Sequence, residues 1–238
     1  MSANVRQLLV DTETTGFEPK EGHRIIEFAA LEMIDRKLTG NSLHLYFNPE
    51  RDIPAEATKV HGITLEQVEH EAPFRERVNE IIDYISGAEL IIHNAKFDLN
   101  FLDHHFNQLG FKPTLEYAAS CIDTLAMARS KFPGAKNNLD ALCDRYNVDR
   151  SNRGYHGALI DCVLLSGVYI GLTREQISLL GDDKSGGKNK IVYPHINSDQ
   201  YNLIPVEVSQ EEQKLHLEYL AKLDKISKGN SPWFNRSK

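Results

Sequence analysis

The chain has 238 residues, enough for one sizeable domain with an appendage or for two small domains. Its hydrophobic fraction of 41% is ordinary for a globular protein, and no apolar run approaches the roughly 20 residues that span a bilayer. The net charge of −7 argues against broad binding to duplex DNA, which depends on many Lys and Arg contacts with phosphates. Three scattered cysteines and an N-terminus without a signal-peptide pattern predict a cytoplasmic location and no structural zinc site.

The hydrophobic pattern predicts a hairpin followed by alternating strands and helices. A first strand is expected over residues 7–12 and a second over Ile25–Leu31, followed by a polar turn, Asp35–Gly40, and a partner strand around Leu43–Phe47. Further strands are expected at residues 90–92 and 120–122, with helices over residues 73–85, 96–109, 124–131, 138–146 and 157–170. This order predicts an α/β fold with a mixed sheet covered by helices.

The composition changes after Gly181 and predicts three parts in the chain. Residues 1–181 form the expected main domain, and the polar, Gly-rich segment that follows predicts a flexible linker over residues 182–205. Residues 206–238 form a C-terminal arm, in which Ser209-Gln210-Glu211-Glu212 is a capping box that opens a helix. The helix carries Leu215 and Tyr219 and is followed by Trp233, so the arm presents apolar side chains.

Two acidic residues lie two positions apart at the end of the first strand. A strand directs residues i and i+2 to the same side, so the carboxylates of Asp11 and Glu13 are expected to be close together. Repulsion between them would raise one pKa unless a divalent cation bound there, and carboxylate oxygens suit Mg²⁺ or Mn²⁺. The alternative is a polar turn, rich in Thr and Gly, that merely ends the strand.

Three further residues extend this candidate site. Asp98 falls in the first turn of a helix that follows a strand. There its negative charge either interacts favourably with the helix dipole or belongs to a site at the end of the sheet. Asp161 is an acid in an otherwise apolar stretch, where a buried charge needs a partner or a metal. His156, five residues earlier, is either a surface loop histidine or a general base.

These motifs together resemble the DEDD-type 3′→5′ exonucleases, in the variant whose last motif contains His. The resemblance rests on DTETTG with Asp11 and Glu13, HNAKFD with Asp98 and HGALID with His156 and Asp161, and it covers about residues 5–172. The segment Val60-His61-Gly62-Ile63-Thr64 also matches the pattern of the family. The resemblance implies a ribonuclease-H-like mixed sheet of five strands.

The resemblance also implies two Mg²⁺ or Mn²⁺ ions and assigns their ligands. Asp11, Glu13 and Asp161 would hold the first ion, while Asp11 and Asp98 would hold the second, and His156 would take a proton from the attacking water. The implied substrate-binding residues are Asp11, Glu13, Thr14, Phe17, Val60, His61, Asn94, Phe97 and Asp161. Core packing for Phe97 and loop capping for His61 remain open alternatives.

Within this family the chain resembles the proofreading subunits of bacterial polymerase III. That resemblance implies binding to a DNA 3′ end, to the alpha catalytic subunit through residues 206–238, and to a small theta-like subunit. The peptide Gln176-Ile177-Ser178-Leu179-Leu180 resembles a sliding-clamp-binding peptide, although it could equally be the end of the last helix. No membrane partner is expected.

The sequence leaves three functions open. The first is a proofreading exonuclease that acts on mispaired DNA ends. The second is an RNA-trimming exonuclease, because nothing in DTETTG distinguishes DNA from RNA. The third is a non-catalytic scaffold that stabilises a polymerase through the arm, which the intact set of four acids and a histidine disfavours.

Overall fold

The computed structural model describes residues 5–151, 155–174 and 208–226 of the chain. The chain divides into two compact units, Met1–Ile177 and Ser178–Lys238. The expected linker, residues 182–205, and the clamp-like peptide, residues 176–180, lie outside the described residues. Trp233 lies outside them as well, so the division into a domain, a linker and an arm stays a prediction.

A mixed five-stranded sheet forms the centre of the first unit. Its strands are β1 (Gln7–Thr14), β2 (Ile25–Ile34), β3 (Lys37–Tyr46), β4 (Glu89–Ile92) and β5 (Ser120–Asp123), in the order β3-β2-β1-β4-β5. Strand β1 pairs antiparallel with β2 and parallel with β4, and β4 pairs parallel with β5. The parallel pairing brings the carboxyl ends of β1 and β4 to the same edge of the sheet.

Helices cover both faces of this sheet because the residues of β1 alternate between two cores. The described helices of the unit are α1 (Ala55–His61), α2 (Leu65–Val68), α3 (Phe74–Ile85), α4 (Ala95–Gln108), α5 (Thr124–Lys131), α6 (Leu139–Tyr146) and α7 (Ala158–Leu172). Leu8 and Val10 pack in one core with α3 and α4, whereas Leu9 packs in the other with α5, α6 and α7. The expected α/β, ribonuclease-H-like fold is therefore confirmed.

Two local expectations from the sequence were wrong in detail. The first strand was expected to stop at residue 12, but pairing with β2 continues through Glu13 and carries the strand to Thr14. The turn expected over Asp35–Gly40 contains only Asp35 and Arg36, both with positive φ, and β3 begins directly after it. The short helices α1 and α2 were not predicted, because they are too brief to show a hydrophobic period.

The described part of the second unit is one helix, α8 (Gln210–Ile226). The backbone N–H and hydroxyl of Ser209 both donate to Glu212, whose own N–H donates back to the hydroxyl, so the expected capping box is present. Leu215, Tyr219 and Ile226 are exposed along the helix. Among the described residues, no helix is long and apolar enough to cross a membrane.

Candidate active site

Three acidic residues meet at the shared edge of β1 and β4. Asp11 and Glu13 lie two residues apart on β1, and Asp98 lies in the first turn of α4, which follows β4 directly. The hydroxyl of Thr12 donates to Oδ1 of Asp98 at 2.7 Å, so β1 holds the side chain of Asp98 directly. Asp98 is only 2% exposed, so its charge is held away from water.

Helix α7 brings the fourth acid and the histidine to the same place. Asp161 lies in the first turn of α7, which packs against β1 and β2, and is 5% exposed. Nδ1 of His156 lies 3.4 Å from Oδ2 of Asp161, and the side chain of His156 remains 46% exposed. Donor atoms of Glu13, His156 and Asp161 lie within 4.8 Å of one another. His156 therefore lies beside the carboxylates and open to solvent.

The electrostatics of the cluster fit a site for divalent cations. Burial, followed by the charges of Asp98, Glu13, Asp161 and Glu27, raises the pKa of Asp11 well above its usual value. Burial also raises the pKa of Asp98 to about 7, although the hydrogen bond from Thr12 opposes this shift. All the charged neighbours that shift Asp11 are carboxylates, and hard divalent cations relieve such repulsion through oxygen ligands.

A mainly apolar cleft of about 340 Å³ opens beside Glu13. Phe17 at its mouth is 86% exposed and Val60 is 48% exposed, whereas Thr14 and His61 are buried. Phe97 lines the cleft and also packs on Phe101, with ring centroids 5.1 Å apart. Six of the residues expected to bind substrate thus line one cleft, namely Glu13, Thr14, Phe17, Val60, His61 and Phe97.

The segment that contains His61 is joined to the loop that contains His156. The amide N–H of His156 donates to the carbonyl of Val60 at 3.0 Å. Gly62 has a positive φ of 76°, which disfavours residues with a side chain, and a Cβ there would lie only 2.8 Å from the ring of Tyr155. Both the backbone conformation and the close approach therefore require glycine. These two contacts join the part of the cleft that contains Val60 and His61 to the loop that contains His156.

His61 has one defined neutral form. The amide N–H of Ile63 donates to its Nδ1 at 3.0 Å, so the proton of the neutral ring lies on Nε2. Burial lowers the pKa of His61, which keeps the ring neutral at pH 7. No described residue forms a hydrogen bond with the buried Nε2, so it can donate to a bound molecule.

A second cavity, of about 630 Å³, lies on the other side of the carboxylates. Asp11, His156 and Asp161 line it together with Asn94, and it thus contains the three expected substrate contacts that lie outside the apolar cleft, namely Asp11, Asn94 and Asp161. His93, Arg129 and Asn137 also line this cavity, and sequence reasoning missed all three. Arg129 lies on an exposed part of α5, where the sequence pattern resembles that of any solvated charge.

Comparison with known proteins identifies the family of this chain. The family model described as Exonuclease matches residues 8–169, so the chain belongs to that exonuclease family. The nuclease domain of 3′hExo, a DEDDh family member bound to rAMP, shares the fold with a TM-score of 0.62 at 20% identity, covering 72% of this chain and 92% of that one. Exonuclease X in complex with 5′ overhanging duplex DNA is 26% identical with a TM-score of 0.54, covering 70% of this chain and 90% of that one.

More similar relatives place the chain within that family. DNA polymerase III subunit epsilon of Pasteurella multocida is 43% identical over 238 residues, which cover 97% of this chain and 94% of the relative. The protein of the same name from Salmonella typhimurium is 46% identical over 183 residues, covering 75% of each chain. Within the exonuclease family, this chain groups with the epsilon subunits of DNA polymerase III. The resemblance drawn from the motifs is confirmed.

Proposed function

We propose that this chain is a 3′→5′ exonuclease that removes mispaired nucleotides from DNA 3′ ends as the proofreading subunit of a bacterial DNA polymerase III. The observation that carries the proposal is the meeting of Asp11, Glu13, Asp98 and Asp161 with His156 between the apolar cleft and the second cavity. The acidic balance of the chain fits an enzyme that handles only the end of a strand. Affinity for longer DNA then comes from the polymerase.

The carboxylates are assigned to two divalent cations, Mg²⁺ or Mn²⁺. Asp11, Glu13 and Asp161 would hold the first, while Asp11 and Asp98 would hold the second. When bound, such a pair would supply activation of the attacking water and charge stabilisation for the oxygen that leaves phosphorus. His156 takes the proton from the attacking water, and its exposed side lets that proton pass to solvent. Thr12 holds Asp98 in place throughout.

The terminal nucleotide is assigned to the apolar cleft. A base that stacks on Phe17 or Phe97 is held without regard to its identity, as removal of any mispaired nucleotide requires. Nε2 of His61 donates to an oxygen of this nucleotide, since its proton lies on that atom. Asn94 and Arg129 contact the strand through the second cavity, where the guanidinium pairs with a backbone phosphate.

Replacing Phe17 by alanine tests the stacking contact. Loss of base–aromatic stacking, worth about 1–3 kcal/mol, raises KM for a single-stranded oligonucleotide by roughly 5- to 150-fold. The conservative variant Phe17→Tyr keeps a ring at the same place and keeps KM close to the wild-type value. Steady-state kinetics at saturating Mg²⁺ check this, and an unchanged KM in Phe17→Ala would show that this ring does not hold the substrate.

A nuclease assay tests the activity itself. Purified chain with Mg²⁺ shortens a 5′-labelled DNA oligonucleotide one nucleotide at a time from its 3′ end, and a mispaired end is shortened faster than a paired one. The Asp11→Ala variant does not, which excludes a contaminating nuclease. An RNA oligonucleotide of the same sequence distinguishes the alternatives: faster cleavage of RNA would favour an RNA-trimming enzyme, and no cleavage of either would favour a scaffold.

The C-terminal arm is assigned to the alpha catalytic subunit of polymerase III. The exposed apolar residues Leu215, Tyr219 and Ile226 on α8 support this proposal, because they offer a surface for a partner. A chain that ends at residue 205 loses co-purification with the catalytic subunit but keeps its kcat on a free oligonucleotide. Retained co-purification would place the polymerase contact elsewhere in the chain.

Two further partners are proposed from the sequence. Gln176-Ile177-Ser178-Leu179-Leu180 is assigned to the sliding clamp, and an additional small theta-like subunit is proposed for the exonuclease domain. Replacing Gln176 and Leu179 by alanine should weaken clamp binding without changing kcat on a free oligonucleotide. Unchanged clamp affinity would leave this peptide as the end of the preceding helix.

A further inference from the structure

A fifth carboxylate, which the sequence motifs do not include, lies next to the catalytic cluster. Glu27 on β2 is paired directly with Glu13 of β1 in the sheet and is 2% exposed. Its charge contributes to the raised pKa of Asp11. A further buried anion beside four others is unfavourable unless its own oxygens are well satisfied. The hydrogen-bond partners of Glu27 indicate its role beside the cluster.

Both carboxylate oxygens of Glu27 have defined partners. Oε2 accepts a hydrogen bond from the amide N–H of Ala158 at 3.0 Å, and Oε1 lies 2.7 Å from Nε2 of His44 on β3. Ala158 is the first residue of α7, and the preceding residue, Gly157, has no side chain that could cap the helix. Glu27 therefore caps α7 from a neighbouring strand and places negative charge at the helix N-terminus, where it is favourable.

This cap is close to both groups that α7 brings to the site. Ala158 lies two residues after His156 and three residues before Asp161, and the amide N–H of Asp161 donates to the carbonyl of Gly157 at 2.9 Å. A shift of the first turn of α7 therefore moves Asp161 and His156 together. Cys162, with Sγ 3.6 Å from the carbonyl of Ala29, gives the same turn a second, weaker contact with β2.

We propose that Glu27 is a positioning residue, whose carboxylate fixes the N-terminus of α7 against β2 and so sets the geometry of His156 and Asp161. His44 orients that carboxylate from the edge strand β3. The inference rests on the proposed function, since it assigns His156 and Asp161 their roles in hydrolysis. Glu27 itself contacts neither the attacking water nor the substrate.

Kinetics of two substitutions at this position test the proposal. Glu27→Ala removes the acceptor for the Ala158 amide and lowers kcat by about 10- to 100-fold, as losing a group that orients a ligand typically does. KM for the oligonucleotide changes by less than about threefold, because the base stacks on Phe17 and Phe97, which lie after β1 and on α4 rather than on the loop of His156. Glu27→Gln keeps an amide oxygen that can accept the same hydrogen bond, and it restores most of the lost kcat.

Glu32 provides a matched control on the same strand. Its carboxylate is also buried and accepts hydrogen bonds from Arg6, Thr39 and Asn41, but it lies at the other end of β2. Glu32→Ala lowers the melting temperature yet keeps kcat per folded molecule. Equal loss of kcat in Glu27→Ala and Glu32→Ala, or unchanged kcat in Glu27→Ala, would overturn the positioning role.

Hydrogen exchange gives a second measurement that does not depend on catalysis. The amide of Ala158 exchanges faster in Glu27→Ala than in the wild-type chain, while Glu27→Gln retains its protection. Unchanged protection in Glu27→Ala would contradict the proposed anchor. If the wild-type chain showed no nuclease activity, the proposed function would fail, and the exchange of Ala158 would still decide whether Glu27 anchors α7.

Discussion

Replacing His156 by alanine lowers kcat by about 10²- to 10⁴-fold, the usual loss when a general base is removed. The physical reason is that the attacking water then has no neighbour that can take its proton as the bond to phosphorus forms. Affinity for Mn²⁺, measured by titration calorimetry, stays close to the wild-type value, because the four carboxylates remain. Added imidazole restores part of the activity, since it can enter from the solvent-exposed side of the site.

The same variant distinguishes a base from a metal ligand. His156 has a ring nitrogen within 4.8 Å of the donor atoms of Glu13 and Asp161, so its position is compatible with either role. A large loss of Mn²⁺ affinity without rescue by imidazole would make His156 a ligand. His70→Gln is the control, because His70 is an exposed histidine whose ring lies 3.6 Å from Glu69, and its substitution leaves both measurements unchanged.

Replacing Asp98 by asparagine has opposite effects on stability and on activity. In the absence of metal it stabilises the fold at pH 8, because it removes a carboxylate whose pKa is raised from its usual value of 3.8 to about 7 in the folded chain. Such a group favours the folded chain at low pH, and that contribution is lost as the pH rises through about 7. The advantage of the variant therefore grows from about pH 4 to pH 8 and reaches a few kcal/mol.

The activity of Asp98→Asn falls at the same time. We expect a loss of at least about 100-fold, more than the loss of a group that only orients a ligand. Mg²⁺ also raises the melting temperature of the variant less than that of the wild-type chain. Denaturant unfolding with EDTA at several pH values checks the stability, and a variant that is less stable at pH 8 would contradict the raised pKa.

Asp103 offers a matched control for this experiment. It lies on the same helix, and its carboxylate also accepts from a threonine, through the hydroxyl and the amide of Thr114. The charge of Asp103 is not among those that raise the pKa of Asp11 or of Asp98. Asp103→Asn therefore weakens the contact with Thr114 and lowers stability, but keeps its response to Mg²⁺.

The sheet and the positions of the acids were predictable because each of them depends on a short, continuous stretch of sequence. Leu8-Leu9-Val10 reads as a strand, and a strand alone puts Asp11 and Glu13 on one side. Asp98 and Asp161 each fall in the first turn of a helix, where charge and spacing mark them in the sequence. Spacing alone does not show that these acids lie together in the fold. The match of their motifs to one family indicated that they do.

The contacts between distant segments could not be read in this way. Glu27 lies in the continuous apolar run of β2, and its partner Ala158 is 131 residues away, so no local pattern links them. Arg129 and Asn137 become part of the site only because β5 and its following helix pack beside β4. Gly62 looks like a turn residue, and its contact with Tyr155 emerges only when both loops are placed.

Anomalous scattering from crystals soaked in Mn²⁺ shows whether the four carboxylates bind a pair of metal ions. We expect a peak among Asp11, Glu13 and Asp161 and a second peak between Asp11 and Asp98, both within carboxylate bonding distance. Crystals of Asp98→Asn should lose the second peak and retain the first. A map with no peak among these four side chains, from crystals of a chain that degrades DNA in the presence of Mn²⁺, would contradict this expectation.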